Sequence, residues 1–139
     1  MKHHLSTRRV IAVATVLLLL AGYILWRNLA LSAATDALRL EMKSGAIRMI
    51  EDRFTGPVDQ KAFILSAIER THTQAFERCP MERSFVPIGS TRGTPSATEV
   101  SINLIHYLHE LHDEIHAEAI RLGMKFDATS LSHALGLRR

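Results

Sequence analysis

Residues 10–26, VIAVATVLLLLAGYILW, decide the architecture of this chain of 139 residues. These seventeen residues between Arg9 and Arg27 carry no charge. As a helix they cover roughly 25 Å at about 1.5 Å per residue, a little less than a bilayer hydrocarbon thickness of about 30 Å. Leu29, Ala30 and Leu31 complete the span once Arg27 snorkels its guanidinium toward the headgroups. Tyr23 and Trp26 stand near one end, where amphipathic rings favour the membrane interface. A soluble core helix of this length would show a polar face. Here Thr15 is the one polar residue away from the interface, and its hydroxyl can bond back to a backbone carbonyl. The stretch therefore reads as a transmembrane anchor over residues 10–31.

A cleaved signal peptide is the rival reading. Lys2, Arg8 and Arg9 precede the apolar run, and Ser32, Ala33 and Ala34 offer the small residues that a signal peptidase reads. The run is longer than the usual apolar region of a signal peptide, however, and Arg27 and Asn28 interrupt the approach to the cleavage site. A signal-anchor is favoured. The short basic tail, residues 1–9, is expected in the cytoplasm and residues 32–139 outside it, which in a bacterium means the inner membrane with a periplasmic domain. Arg27, Arg39 and Lys43 follow the anchor, so the positive-inside count barely separates the two orientations. Ala12, Ala14, Ala21 and Gly22 form no small-xxx-small pair, so any dimer should be made by helices outside the bilayer.

The net charge of +3 is explained by the tail. Three of the seventeen Lys and Arg residues lie there, and the remaining fourteen balance the fourteen Asp and Glu residues, all beyond the tail. The outer bases are scattered and not gathered into a stripe, which removes the electrostatic footprint of a nucleic-acid binder. Cys79 is alone, so it cannot form an intramolecular disulfide, and burial as a small hydrophobe is its expected state.

Beyond the anchor the pattern is all-α, with helices expected over residues 35–54, 58–79, 97–122 and 129–135. The first carries Leu38, Met42 and Met49 on one stripe with Ile47, Ile50 and Phe54 beside it, and nothing between Trp26 and Thr35 prevents it from continuing the anchor. Gly56-Pro57 ends it, and Pro80 ends the second helix, which carries Leu65, Ile68, Ala75, Phe76 and Cys79. So short a connection predicts an antiparallel hairpin. Residues 80–96, PMERSFVPIGSTRGTPS, read as a long loop with an apolar patch at Phe85, Val86 and Ile88. Ser96 and Glu99 form a capping-box signature for the third helix, whose stripe is Leu104, Leu108, Leu111, Ile115, Ala119 and Leu122 before Gly123. Asp127 or Ser130 can cap a last short helix.

The chemistry-bearing segment is HYLHELHDEIH, with His106, His109, His112 and His116 on the third helix. At about 100° per residue, His109, His112, Asp113 and His116 share one flank of the apolar stripe. His112 and His116 are i,i+4 partners, as are His109 and Asp113. Such a face suits zinc, copper, nickel or cobalt. One helix rarely completes the shell, so further ligands would come from Glu69 and His72 on the second helix or from another copy. The bland alternative is a polar flank bordering the core. Glu110, Glu114 and Glu118 form an acidic ridge on the other flank, expected to be solvated.

Catalytic readings fare worse. In His112-Asp113-Glu114-Ile115-His116 the histidines have the spacing of a zinc-protease helix, but Glu stands one position away from where a general base is needed. Glu69-x-x-His72 and Asp113-x-x-His116 have the spacing of di-iron bundles, which require two more carboxylate-bearing helices. Glu41 or Glu51 could supply one carboxylate, but a full fourth helix is missing. An enzyme is not expected. Two functions stand: a non-catalytic, membrane-anchored helical interaction or accessory subunit of an envelope complex, working through a protein partner or a homodimer, and an extracytoplasmic transition-metal sensor or accessory protein. In layout alone the second resembles the membrane-anchored periplasmic sensors of nickel and cobalt, which join one anchor to a helical hairpin carrying His ligands. No motif of that family aligns onto this chain, whose histidines lie on the third helix.

Overall fold

A computed structural model describes residues 2–79 and 97–137, with side chains placed for residues 7–79 and 100–137. The loop patch at Phe85, Val86 and Ile88, and the capping box of Ser96 and Glu99, lie outside the described residues. The fold is all-α: α1 (Lys2–Arg53), α2 (Val58–Arg78), α3 (Ala97–Arg121) and α4 (Ala128–Ala134).

The first helix is a single unbroken element of 52 residues, roughly 78 Å long at about 1.5 Å per residue. The sequence allows a separate helix to start at residue 35. No break occurs there, because Thr35 turns its hydroxyl back to Leu31 O at 2.8 Å and so does not act as a cap. Thr15 does the same to Ile11 O at 2.9 Å, which removes the only polar group from the middle of the apolar run. Among the described residues one helix is long and apolar enough to cross a membrane, with mean hydropathy 2.1 over its most apolar window and none of that window buried against the rest of the protein.

Burial begins where the apolar run ends. Leu38, Met42, Ala46, Ile50 and Phe54 recur every fourth residue and are all buried, so this half of α1 presents a row to α2 and α3. Gly56 leaves room for the Phe54 ring at the first corner: a Cβ there would lie 2.5 Å from Phe54 Cζ, so a larger residue would require the ring to shift. The second helix buries Ile64, Ala67, Ile68, Ala75 and Phe76. The third buries Tyr107, Leu108, Leu111, Ile115 and Ala119. Cys79 is buried, its thiol donating weakly to Asn103 O at 3.8 Å, and burial pushes that thiol above its ordinary pKa.

Two glycines end helices by the same device. Gly123 at φ +66° lets Met124 N–H donate to Ala119 O and Gly123 N–H to Ile120 O, and Gly136 at φ +69° repeats the pair to Ser132 and His133. The turn at Gly123 also carries Leu122 out of the expected core stripe, leaving it 54 % exposed. Asp127 caps α4, accepting from the Thr129 and Ser130 amides at 3.0 and 3.3 Å.

Candidate functional site

The two flanks of α3 differ in what they face. The residues that turn inward include polar ones. His112 is 2 % exposed, with Nδ1 3.1 Å from Asp113 Oδ1 and Nε2 3.2 Å from the Ala128 carbonyl. A carboxylate and a carbonyl both only accept, so a ring protonated at both nitrogens satisfies the pair and a neutral ring satisfies one. His112 thereby ties the middle of α3 to the first turn of α4. His116 is half-buried in an aromatic row, its ring 6.2 Å from that of His112 and 6.4 Å from Phe126, which in turn meets Phe63 edge-on at 6.1 Å.

The expected acidic ridge is not a solvated face. Glu118 is buried at 8 % exposure and accepts from Arg70 Nε at 2.8 Å, with Arg121 Nη2 at 3.5 Å. Glu114, largely buried, is paired with Arg78. These two charge pairs join α2 to α3 one helical turn apart on α3. The sequence contained all four residues but not the interhelical register that brings Arg70 and Arg78 onto that ridge. Tyr107, also absent from the expected stripe, is fully buried, and burial together with the Glu69 carboxylate raises its phenol pKa.

The further donors anticipated on α2 serve a different neighbourhood. Glu69 is ion-paired with Lys43 of α1. His72 is half-buried beside Lys43 and Arg39, with Nδ1 buried and without a hydrogen-bond partner. Burial, reinforced by Lys43 and Arg39 and opposed by Glu69, holds this ring below the ordinary histidine pKa. His72 and Glu69 thus belong to the α1–α2 contact. Of the anticipated metal residues, the fold joins His112 to Asp113 and stacks His112 near His116. Among the described residues no group of three His, Cys, Asp or Glu converges closely enough to hold a metal ion.

The outward flank carries the opposite composition. Ile102, Ile105 and Ile120 are 47, 61 and 67 % exposed, with His106, His109 and Asp113 exposed between them. A separate open cleft of about 800 Å³ lies between the end of α1 and α4, lined by Arg53, Thr129, Ser132 and His133.

The chain matches no family model, no curated protein and no solved structure.

Proposed function

We propose that this protein is a single-pass, membrane-anchored helical interaction subunit of an envelope complex, without catalytic activity of its own. The reading places residues 10–31 in the inner membrane, the basic tail in the cytoplasm and the helical domain in the periplasm. The observation that carries it is the continuity of α1, in which one uninterrupted helix supplies both the unburied apolar run and the first row of the domain core. A helix shared in this way fixes the height and rotation of the domain above the bilayer, which a flexible linker would not do. It therefore suits a protein whose task is to present a surface at a defined place. The isoleucines left outside on α3 are the apolar part of that surface.

The test is recovery of partners from intact membranes. The full-length protein, tagged at Arg139 and cross-linked in cells, is expected to co-purify with a defined membrane or periplasmic partner, or with itself. A reporter active only outside the cytoplasm, fused after Leu137, should be active. A tagged chain that behaves as a lone monomer, or a reporter that stays inactive, removes the proposal.

A further inference from the structure

The outward side of α3 is one continuous stripe. Ile102, His106, His109, Asp113, His116 and Ile120 follow at intervals of four, three, four, three and four residues, the spacing that keeps a helix seam facing a second helix. All but His116 are exposed, and the inward side of the same helix is already occupied by α2, α1 and α4. The seam is apolar at its two ends and metal-ligating at its middle. Among the described residues of one chain that middle is incomplete, because His109 and Asp113 are two donors and no third joins them.

From this we infer that α3 is the contact between two copies of this chain, and that His109 and Asp113 of one copy, with the same pair of the other, bind one divalent transition-metal ion of the zinc class. The inference rests on the interaction-subunit reading and names the partner as a second copy. A two-fold interface pairs each residue near the axis with its own counterpart. If the second α3 runs in the same direction, His109 meets His109 and Asp113 meets Asp113. If it runs the opposite way, the stripe is symmetric about Leu111: His109 meets Asp113, and Ile102 meets Ile120. In both arrangements the central four side chains are two imidazoles and two carboxylates, a donor set suited to a tetrahedral ion. When the helices run oppositely, each His109 ring N–H faces an Asp113 carboxylate that can accept from it, so the two copies are complementary before the metal enters. His112 supports the set from below: it lies at hydrogen-bond distance from Asp113 Oδ1, leaving the second oxygen of a carboxylate that is 73 % exposed to reach the ion. Anchoring both copies in one bilayer raises their effective concentration, so a modest interface suffices.

The probe is zinc ion alone, added to the full-length protein in detergent micelles or lipid nanodiscs. His3 and His4 are replaced by alanine throughout so that the tail cannot bind it. We expect one zinc per two chains and a shift from monomer to dimer by sedimentation or native mass spectrometry. His109→Ala and Asp113→Asn, both exposed and therefore compatible with an unchanged helical spectrum, should each lower zinc affinity at least tenfold and abolish the zinc-driven shift. In the Cys79→Ser background, His106→Cys should cross-link to its counterpart, or to Cys placed at His116 if the helices run oppositely. Zinc bound one per chain by a monomer, a dimer indifferent to both zinc and His109→Ala, or no binding below about 10 μM each overturns the inference. A different protein recovered on the α3 face overturns it too, while leaving the interaction-subunit reading standing. A chain with no partner of any kind removes both.

Discussion

The two faces of α3 invert the usual arrangement. The inward face holds an imidazole, a tyrosine and a buried glutamate among its aliphatic residues, whereas the outward face leaves three isoleucines in solvent. Most of the inward polar groups have partners: His112 has two acceptors, Glu118 Oε1 has Arg70 and Glu114 has Arg78, whereas the buried Tyr107 hydroxyl and Glu118 Oε2 have none among the described residues. Burial of a polar group is tolerated where its hydrogen bonds are replaced, and the cost of a broken partnership is correspondingly high. The outward isoleucines have no partners among the described residues. The difference teaches that polarity alone does not sort the faces of a helix. What sorts them is whether a neighbouring element supplies a complement.

The comparison makes its strongest demand on the shared core. Leu111 is fully buried and sits at the centre of the inward row, so Leu111→Ala should cost about 2–5 kcal/mol through lost contacts and an unfilled cavity. Ile120→Ser, on the outward face, should stay within about 0.5 kcal/mol. Denaturant midpoints of the full-length protein in micelles check both. Equal losses at the two positions in the zinc-free monomer would mean that the outward face is packed against something in the chain, and the contrast would be lost.

His112 tests the polar half of the contrast. Replacing it with leucine keeps most of the volume but removes the bond from α3 to the Ala128 carbonyl, a loss of about 0.5–1.5 kcal/mol. His109→Leu, exposed one turn away, is expected to change stability by less than about 0.5 kcal/mol. Hydrogen exchange at α4 should locate the His112 effect, because the lost bond is the one that ties α4 to α3. Two histidines of equal cost would show that His112 is not the tie.

How much of this was legible in the sequence depends on the range of the interaction. Asp127, Gly123, Gly56 and the rows Leu38-Met42-Ile50 and Leu108-Leu111-Ile115 act locally, through backbone geometry and helical period, and could be read without a partner in view. The continuity of α1 could be read as a permission, since no breaker intervenes, but not as a fact, because a threonine that could cap a helix can equally bond back within one. The charge pairs could not be read at all. Arg70 and Glu118 are 48 residues apart, and which flank of α3 meets α2 depends on a crossing geometry that single-helix periodicity does not contain. The same gap explains the histidines. A helical wheel groups His109, His112, Asp113 and His116 within one arc, but the core boundary runs through that arc, sending His112 inside and leaving His109 and Asp113 outside.

The α2–α3 pairs give the next smaller effect. Arg70→Met leaves the Glu118 carboxylate buried beside only the longer Arg121 contact, whereas Glu118→Leu removes the buried charge and leaves an arginine that is already 47 % exposed free to hydrate. The arginine substitution should therefore be the more damaging, by about 1–2 kcal/mol, discounted from the cost of fully buried pairs because the guanidinium is half in water. A double variant, Arg70→Met with Glu118→Leu, should recover most of that loss. If Glu118→Leu proves worse than Arg70→Met, the glutamate is held by more than this pair and the inward face is more polar than its partners account for.

The smallest effect concerns a histidine between the two environments. His72 is half-buried like His116 but has an unpartnered Nδ1 and two cations, Lys43 and Arg39, nearby, with Glu69 as the one opposing charge. Its folded pKa is depressed below the ordinary value of 6.5, so as pH falls the unfolded chain takes up this proton first. Stability contributed by the neutral ring is present above pH 6.5, declines as pH drops through that value toward the folded pKa, and then levels off. The informative quantity is a difference between proteins. The drop in denaturant midpoint between pH 7.5 and pH 5.5 should be smaller in His72→Gln than in the parent. An unchanged drop in His72→Gln would place that ring in solvent, on the outward side of the comparison, where an imidazole can charge without cost to the fold.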